Sequence, residues 1–94
     1  MTYKLVFKVE AEKEWKKLDP TIKVKFKKRV LERLDNPHVP SSKLSGMQNC
    51  YKIKLRSAGY RLVYEVRDEQ IIVSVVSVGK RERNEVFKNA IKRI

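Results

Sequence analysis

The chain has 94 residues with 23 Lys or Arg against 11 Asp or Glu, giving a formal charge of +12 and an isoelectric point near 10.0. That length holds a single domain, residues 1–94, able to bury about 60–65% of its unfolded surface without disulfides or metals, and leaves no room for a second. The charge favours a polyanionic partner, nucleic acid first; no apolar run reaches the roughly 18 residues of a membrane-spanning helix and no signal peptide opens the chain, so it reads as cytoplasmic with no membrane partner.

Tyr3 to Val9 alternates, with Tyr3, Leu5, Phe7 and Val9 against Lys4, Val6 and Lys8, which predicts a first strand with one core face. From Glu10 to Leu18 the spacing becomes helical, with Ala11, Trp15 and Leu18 on one side. Asp19-Pro20 pairs an N-cap residue with proline at the first helical position, so a second helix is expected from Pro20 to about Asp35. Its Ile22, Phe26, Val30 and Leu34 recur every four residues and should lie on the sheet, while Lys23, Lys25, Lys27, Lys28, Arg29 and Arg33 read as a solvated face. Asn36-Pro37 ends this helix, and Pro37 to Asn49 has the composition of a loop in which Leu44 and Met47 tack the chain to the core.

The stretch from Cys50 to Arg83 carries the densest pattern. In Tyr51 to Arg56, Tyr51, Ile53 and Leu55 face one way and Lys52, Lys54 and Arg56 the other. The partner strand, Tyr60 to Val66, must place Tyr60, Leu62, Tyr64 and Val66 on the same buried face. A two-residue loop at Ala58-Gly59 achieves this and sets Arg56 opposite Arg61, Lys54 opposite Val63 and Glu65 opposite Lys52. A third strand, Gln70 to Val78, follows across Asp68 and Glu69; pairing Val66 with Ile71 brings Val76 beside Arg61 and Ser74 beside Val63. Lys80, Arg81 and Arg83 then emerge near Arg61. Helical spacing returns from Glu82 to Ile94, with Val86, Ala90 and Ile94 one turn apart, and this short terminal helix is expected to be among the easier elements to displace.

The residue types restrict the chemistry. Cys50 alone cannot form an internal disulfide and is expected in the core, and the lone His38, between two prolines, reads as a surface residue. No His/Cys/Asp/Glu set has zinc-ligand spacing and no glycine-rich loop would cradle a phosphate, so the pattern points away from metal and triad chemistry. What remains is a cationic site. Cleavage of RNA needs a base for the 2′-hydroxyl proton, positive charge for the phosphorane and an acid for the leaving 5′-oxygen. Crowded cations disfavour each other's charged forms, so a lysine such as Lys54 can be lowered toward a usable base, while arginine stays charged and suits phosphate oxygens. Composition alone favours a protein that binds phosphates without cutting them.

KLSGM (43–47), CYKIKLRSAGYRLVYEV (50–66) and SVGKRERNEV (77–86) closely resemble the RelE toxins of bacterial toxin–antitoxin pairs, and the likeness extends through EWKKLD and the closing AIKRI. The resemblance implies an α+β, RelE/ParE-like fold: a small, mainly antiparallel four-stranded sheet with helices packed on one side, in the order β-α-α-β-β-β-α. It implies a ribosome-dependent endonuclease without metal or cofactor that cuts messenger RNA in the A site, bound to ribosomal RNA, and so stops translation. Carried over residue by residue, Lys54 is the candidate base, Lys52 a stabiliser of the transition state, Arg61 the holder of the scissile phosphate and Arg81 a stabiliser of the developing charge or aid to the leaving oxygen. Arg56, Lys80, Arg83 and Phe87 would bind and position the RNA; near relatives carry a tyrosine where this chain has Phe87, so the ring is kept and the hydroxyl is not. The implied partner is a RelB-like antitoxin, with operator DNA bound only through the antitoxin complex, and Lys52, Lys54, Arg61 and Arg81 together favour the nuclease over the alternatives the fold allows, a ParE-like gyrase poison or a non-catalytic ribosome- or RNA-binding module.

Overall fold

The computed structural model describes residues 2–80, 82 and 84–94. Strand β1 (Lys4–Phe7) is followed by helices α1 (Val9–Lys16) and α2 (Pro20–Asp35), a 3-10 turn (Pro40–Ser42), strands β2 (Cys50–Leu55), β3 (Tyr60–Arg67) and β4 (Ile72–Lys80), and helix α3 (Glu85–Arg93). The four strands form one sheet in the order β1-β4-β3-β2. β2, β3 and β4 are antiparallel neighbours and β1 joins β4 in parallel, so the expected α+β class and element order hold, with one parallel pair in an otherwise antiparallel sheet.

β1 is shorter than its alternation predicts. Lys8 is extended and its carbonyl accepts from the Glu12 amide at 2.9 Å, so the helix begins at Val9, which is left 67% exposed. Periodicity two runs into a helix start here, and the first turn claims the last apolar residue of the strand pattern. α2 has the bounds its sequence signals give: Pro20 sits at the first position, and Ile22, Phe26, Val30 and Leu34 are the buried residues. Asp19 occupies the N-cap position, where its carbonyl rather than its side chain bonds the Lys23 amide at 3.0 Å. Asn36, at φ −148° and ψ 77°, has left the helical region ahead of Pro37, as a following proline disfavours that region.

The sheet separates two cores. On one face Tyr51, Ile53, Leu55, Leu62, Tyr64, Val66, Val73, Val75 and Val78 pack with the apolar residues of α1 and α2. Trp15 lies between Phe7 and Phe26, at ring-centroid distances of 5.4 and 6.3 Å. On the other face Cys50, Val63 and Val76 pack with Val86 and Ala90, with Leu44 and Met47 from the loop closing the cluster. Cys50 and Tyr51 are successive strand residues and so point to opposite faces. The expectation of helices on one side therefore holds for α1 and α2 and is corrected for α3, which covers the second face. The alternating cations of β2 hid this, because their face reads as solvent-exposed although its other half is apolar.

Both strand registers differ from those expected. In β2–β3, Lys54 pairs with Arg61, Leu55 with Tyr60 and Cys50 with Glu65, two residues from the predicted pairing. The loop is Arg56–Gly59, four residues, closed by the Gly59 amide on the Leu55 carbonyl at 2.9 Å with Gly59 at φ +71°, a conformation that glycine adopts without strain. A shift of two preserves which face each side chain occupies, so the predicted sharing of faces survives while the partners change. In β3–β4, Arg61 pairs with Gly79, Val63 with Ser77 and Val66 with Val73, with an irregularity at Val63/Tyr64. Four residues, Asp68 to Ile71, make the turn, and Ile71 takes a positive φ of 55°; the bulge then places both Val76 and Ser77 toward the second face.

Candidate RNA-cleavage site

The site is a row across three strands. Lys54 on β2 lies beside Arg61 on β3, and Arg61 beside Gly79 on β4. The row behind it is Lys52, Val63 and Ser77, so small and apolar residues floor the cations as expected, though Ser77 and Gly79 stand where Ser74 and Val76 were predicted. Glu65, expected opposite Lys52 as its neutralising acid, lies opposite Cys50 and bonds the Arg67 guanidinium at 3.1 Å. Like charges directly opposite in a sheet cost stability. Their effect is visible at Lys54, whose ammonium is lowered from the ordinary lysine value first by the charge of Lys52, then by partial desolvation and by Arg61 and Arg56. Lys54 is thus the lysine best prepared to give up a proton.

α3 forms one wall. Gly79, opposite Arg61, presents no side chain, and a Cβ there would stand 3.5 Å from Val86, so the helix approaches the sheet closely at this strand. The Phe87 ring comes to lie 5.1 Å from the Arg61 guanidinium, a cation–π arrangement that holds the arginine and leaves an aromatic surface at the edge of the cationic row. Lys80 pairs with Tyr60 at the same end of the sheet. Arg81 and Arg83, both expected in the site, lie outside the described residues.

The structure adds cations that the sequence reading assigned to solvent. Lys25, Lys28, Arg29 and Arg33 of α2 line a cleft of about 750 Å³ with Lys52, Lys54 and Arg56 of β2. A smaller hollow of about 260 Å³ at the hairpin is lined by Lys54, Arg56 and Arg61, so the basic surface runs from α2 over β2 to the Phe87 wall. Lys25, Arg29 and Arg33 recur every four residues, each one position ahead of Phe26, Val30 and Leu34. That offset is the signal: it puts them on the flank of α2 beside its buried stripe. Arg33 is also structural, donating to the Tyr64 hydroxyl at 2.8 Å and to Ser42 Oγ at 3.2 Å.

Two other titratable groups fall outside the site. Burial pushes the Cys50 thiol up to about 11, with the charge of Glu65 adding to it, so it is the core residue expected and a poor nucleophile at neutral pH. His38 is half-exposed and bonded: Nδ1 is 2.8 Å from the Tyr51 hydroxyl and Nε2 2.8 Å from Asp68, in the turn at the far end of β3 from Arg61. Among the described residues no group of His, Cys, Asp and Glu could hold a metal ion, and no helix is long and apolar enough to cross a membrane.

The sheet's cations thus row up beside an aromatic helix wall. Residues 5–85 match the family described as "ParE toxin of type II toxin-antitoxin system, parDE", and the chain belongs to that family. Within it, the chain is 55% identical over 94 residues to the mRNA interferase toxin RelE of Escherichia coli (strain K12), covering 100% of this chain and 99% of the relative. A solved structure of an E. coli RelE mutant in the free state superimposes with a TM-score of 0.93 at 53% identity, over 100% of this chain and 99% of that one. The toxin in the intact E. coli RelBE toxin–antitoxin complex gives 0.83 at 54% identity, over 86% of this chain and 99% of that one.

Proposed function

We propose that the protein is the toxin of a toxin–antitoxin pair and an endoribonuclease that cleaves messenger RNA in the ribosomal A site. The observation that carries this reading is the unneutralised Lys54–Arg61 pair, with Lys54 lowered by its neighbours, on the strands this chain shares with relatives named mRNA interferases. In the reaction, Lys54 takes the proton of the 2′-hydroxyl, whose oxygen forms a new bond to the adjacent phosphorus; the bond from phosphorus to the 5′-oxygen breaks, leaving a cyclic phosphate and a 5′-hydroxyl once that oxygen gains a proton. Lys52 and Arg61 stabilise the charge of the phosphorane, and Arg81 is assigned to the leaving oxygen. Phe87 and Arg56, with Lys80 and Arg83, position the nucleotides, and the cations of α2 supply further phosphate contacts along the cleft. Phe87 has no hydroxyl, so it acts by stacking; a Phe87→Tyr protein is expected to cleave no faster.

No side chain of this set titrates ordinarily near pH 7, so the site depends on a partner that holds RNA in the reactive geometry, which is the argument for the ribosome. Relatives solved with RelB support an antitoxin partner, and its docking surface is assigned to the exposed apolar residues of α2 and the chain end, Val24, Leu31, Ile91 and Ile94. Substituting them without weakening the complex would refute that assignment. Primer extension on messages from translating cells tests the activity: codon-linked cuts are expected, lost in Lys54→Ala and Arg81→Ala. The ParE description of the matched family favours a second reading, gyrase poisoning. Intact messages with gyrase-linked DNA breaks would establish it instead.

A further inference from the structure

α3 has nine residues, fewer than the roughly 12–15 at which an isolated helix becomes even marginally stable in water, so it is helical because it is docked. Its fully buried anchors are small, with the Phe87 ring packed part-buried beside them. Val86 and Ala90 are buried, whereas Ile91 is 62% exposed and Ile94, next after the helix, lies half in solvent. At its first turn the helix is tied to the sheet by the Ser77 hydroxyl, which donates to the Val86 carbonyl at 2.6 Å.

At its last turn the tie is ionic. Arg93 reaches across to α1 and binds Glu14 as a fork, Nη1 to Oε1 at 2.7 Å and Nη2 to Oε2 at 3.1 Å, with its Nε 3.9 Å from Glu10. Both partners also bond the sheet. Arg93 Nη1 donates to the Val76 carbonyl at 3.0 Å and Glu14 Oε1 accepts from the Val78 amide at 3.3 Å. This is the stretch of β4 that β1 leaves uncovered, because β1 ends where Phe7 pairs with Val75, while β3 pairs with it on the other side. One ion pair thus closes the open edge of the sheet and fixes the end of α3, in surroundings that leave the Arg93 side chain 15% and the Glu14 side chain 27% exposed. A bidentate, partly buried pair of this kind is directional where apolar contacts are not.

We propose that Glu14 and Arg93 are positioning residues, whose fork sets α3 on the sheet so that Phe87 is held over Arg61. The proposal rests on the RNA-cleavage reading only for its consequence on rate, since Phe87 is one wall of that site. Glu14 lies on α1 and Arg93 near the chain end, far from Arg61 in sequence, and neither touches the cationic row.

The test uses Arg93→Met, which keeps an apolar stem and removes the fork, with Arg93→Lys as the conservative variant. Amide exchange across Val86–Ala90 is expected to quicken about tenfold in Arg93→Met, the amides of β3 staying protected, and the ring-current shift of the Arg61 side-chain protons to diminish; Arg93→Lys restores part of both. On translating ribosomes the maximal cleavage rate should fall roughly 10- to 100-fold with the half-saturating toxin concentration unchanged. In a Phe87→Ala background the same substitution should add no further loss. Unchanged exchange and an unchanged Arg61 shift would overturn the proposal, as would losses from Arg93→Met and Phe87→Ala that simply multiply. A wild-type protein with the clamp signals intact but no cleavage of messages would count against the nuclease reading and not against the clamp.

Discussion

The two faces of the sheet are packed to different ends. The α2 face joins Phe26, Tyr64, Ile53, Leu62 and the Trp15 aromatic group in one continuous core. The α3 face fills its half with Cys50, Val63, Val76, Val86, Ala90 and Ser77, all small or β-branched, and leaves the rest to lysine and arginine. The first face can lose little without unfolding. The second carries an unfavourable Lys54–Arg61 pairing that stability alone would not select, and it tolerates that pairing because the first face holds the fold. Separation of the two tasks across a single sheet lets the cationic row be tuned without disturbing the core.

Substitutions can break this division in either direction. The largest effect is expected from Lys54→Ala, which on the proposed mechanism lowers the cleavage rate by roughly 10²–10⁴-fold. The same change relieves like-charge repulsion, so urea unfolding should show stability unchanged or slightly increased; a clear destabilisation would mean that the lysine is structural. Phe26→Ala, on the opposite face, should cost about 3–5 kcal/mol by the same measurement. Val86→Ala should cost only about 1–2 kcal/mol, from the methyl groups it removes. Equal losses at Phe26 and Val86 would erase the proposed difference between the faces.

What was legible in the sequence follows the same division. Helix α2 could be read to its ends because Asp19-Pro20 and Asn36-Pro37 are local signals and its apolar stripe has a single period. The grouping of Lys52, Lys54, Arg56 and Arg61 on one face was legible because strand parity is local too. Their pairing was not, since loops of two and four residues within Arg56–Gly59 give the same parity and different partners. Val9 was misplaced because a strand pattern and a helix start share it. The offset of Lys25, Arg29 and Arg33 from the buried stripe of α2 places them on its flank but does not name the strand they face, and the Arg93–Glu14 fork joins distant segments, which no periodicity records.

Smaller effects should appear in pH dependence. A general base works deprotonated, so cleavage should rise with pH through the lowered value of Lys54 and level off above it. Because Lys52 is the largest cause of that lowering, Lys52→Met should move the rising limb to higher pH, measured as rate against pH on ribosomes saturated with toxin. A limb that stays in place would remove Lys54 as the base. In stability the sign is opposite to that of a salt-bridged lysine: the protonated form is disfavoured in the folded chain, so the penalty is present below the folded value and disappears as pH rises past the unfolded one.

The smallest effect belongs to the far end of the sheet, where Asp68 accepts from the Tyr3 hydroxyl at 2.6 Å and meets His38 at 2.8 Å. The hydrogen bond from Tyr3, then that from His38, holds the Asp68 carboxyl below its ordinary value. A depressed carboxylate contributes stability that is complete above the unfolded value near 3.8 and is lost as pH falls through the folded one. Asp68→Asn should therefore leave cleavage and its pH profile unchanged while flattening the fall in stability below about pH 4. The group is exposed, so the change will be slight and is best read as the difference between wild-type and variant unfolding midpoints across that range. A variant that instead loses cleavage would connect this network to the cationic row through β3, and the two ends of the sheet would no longer be independent.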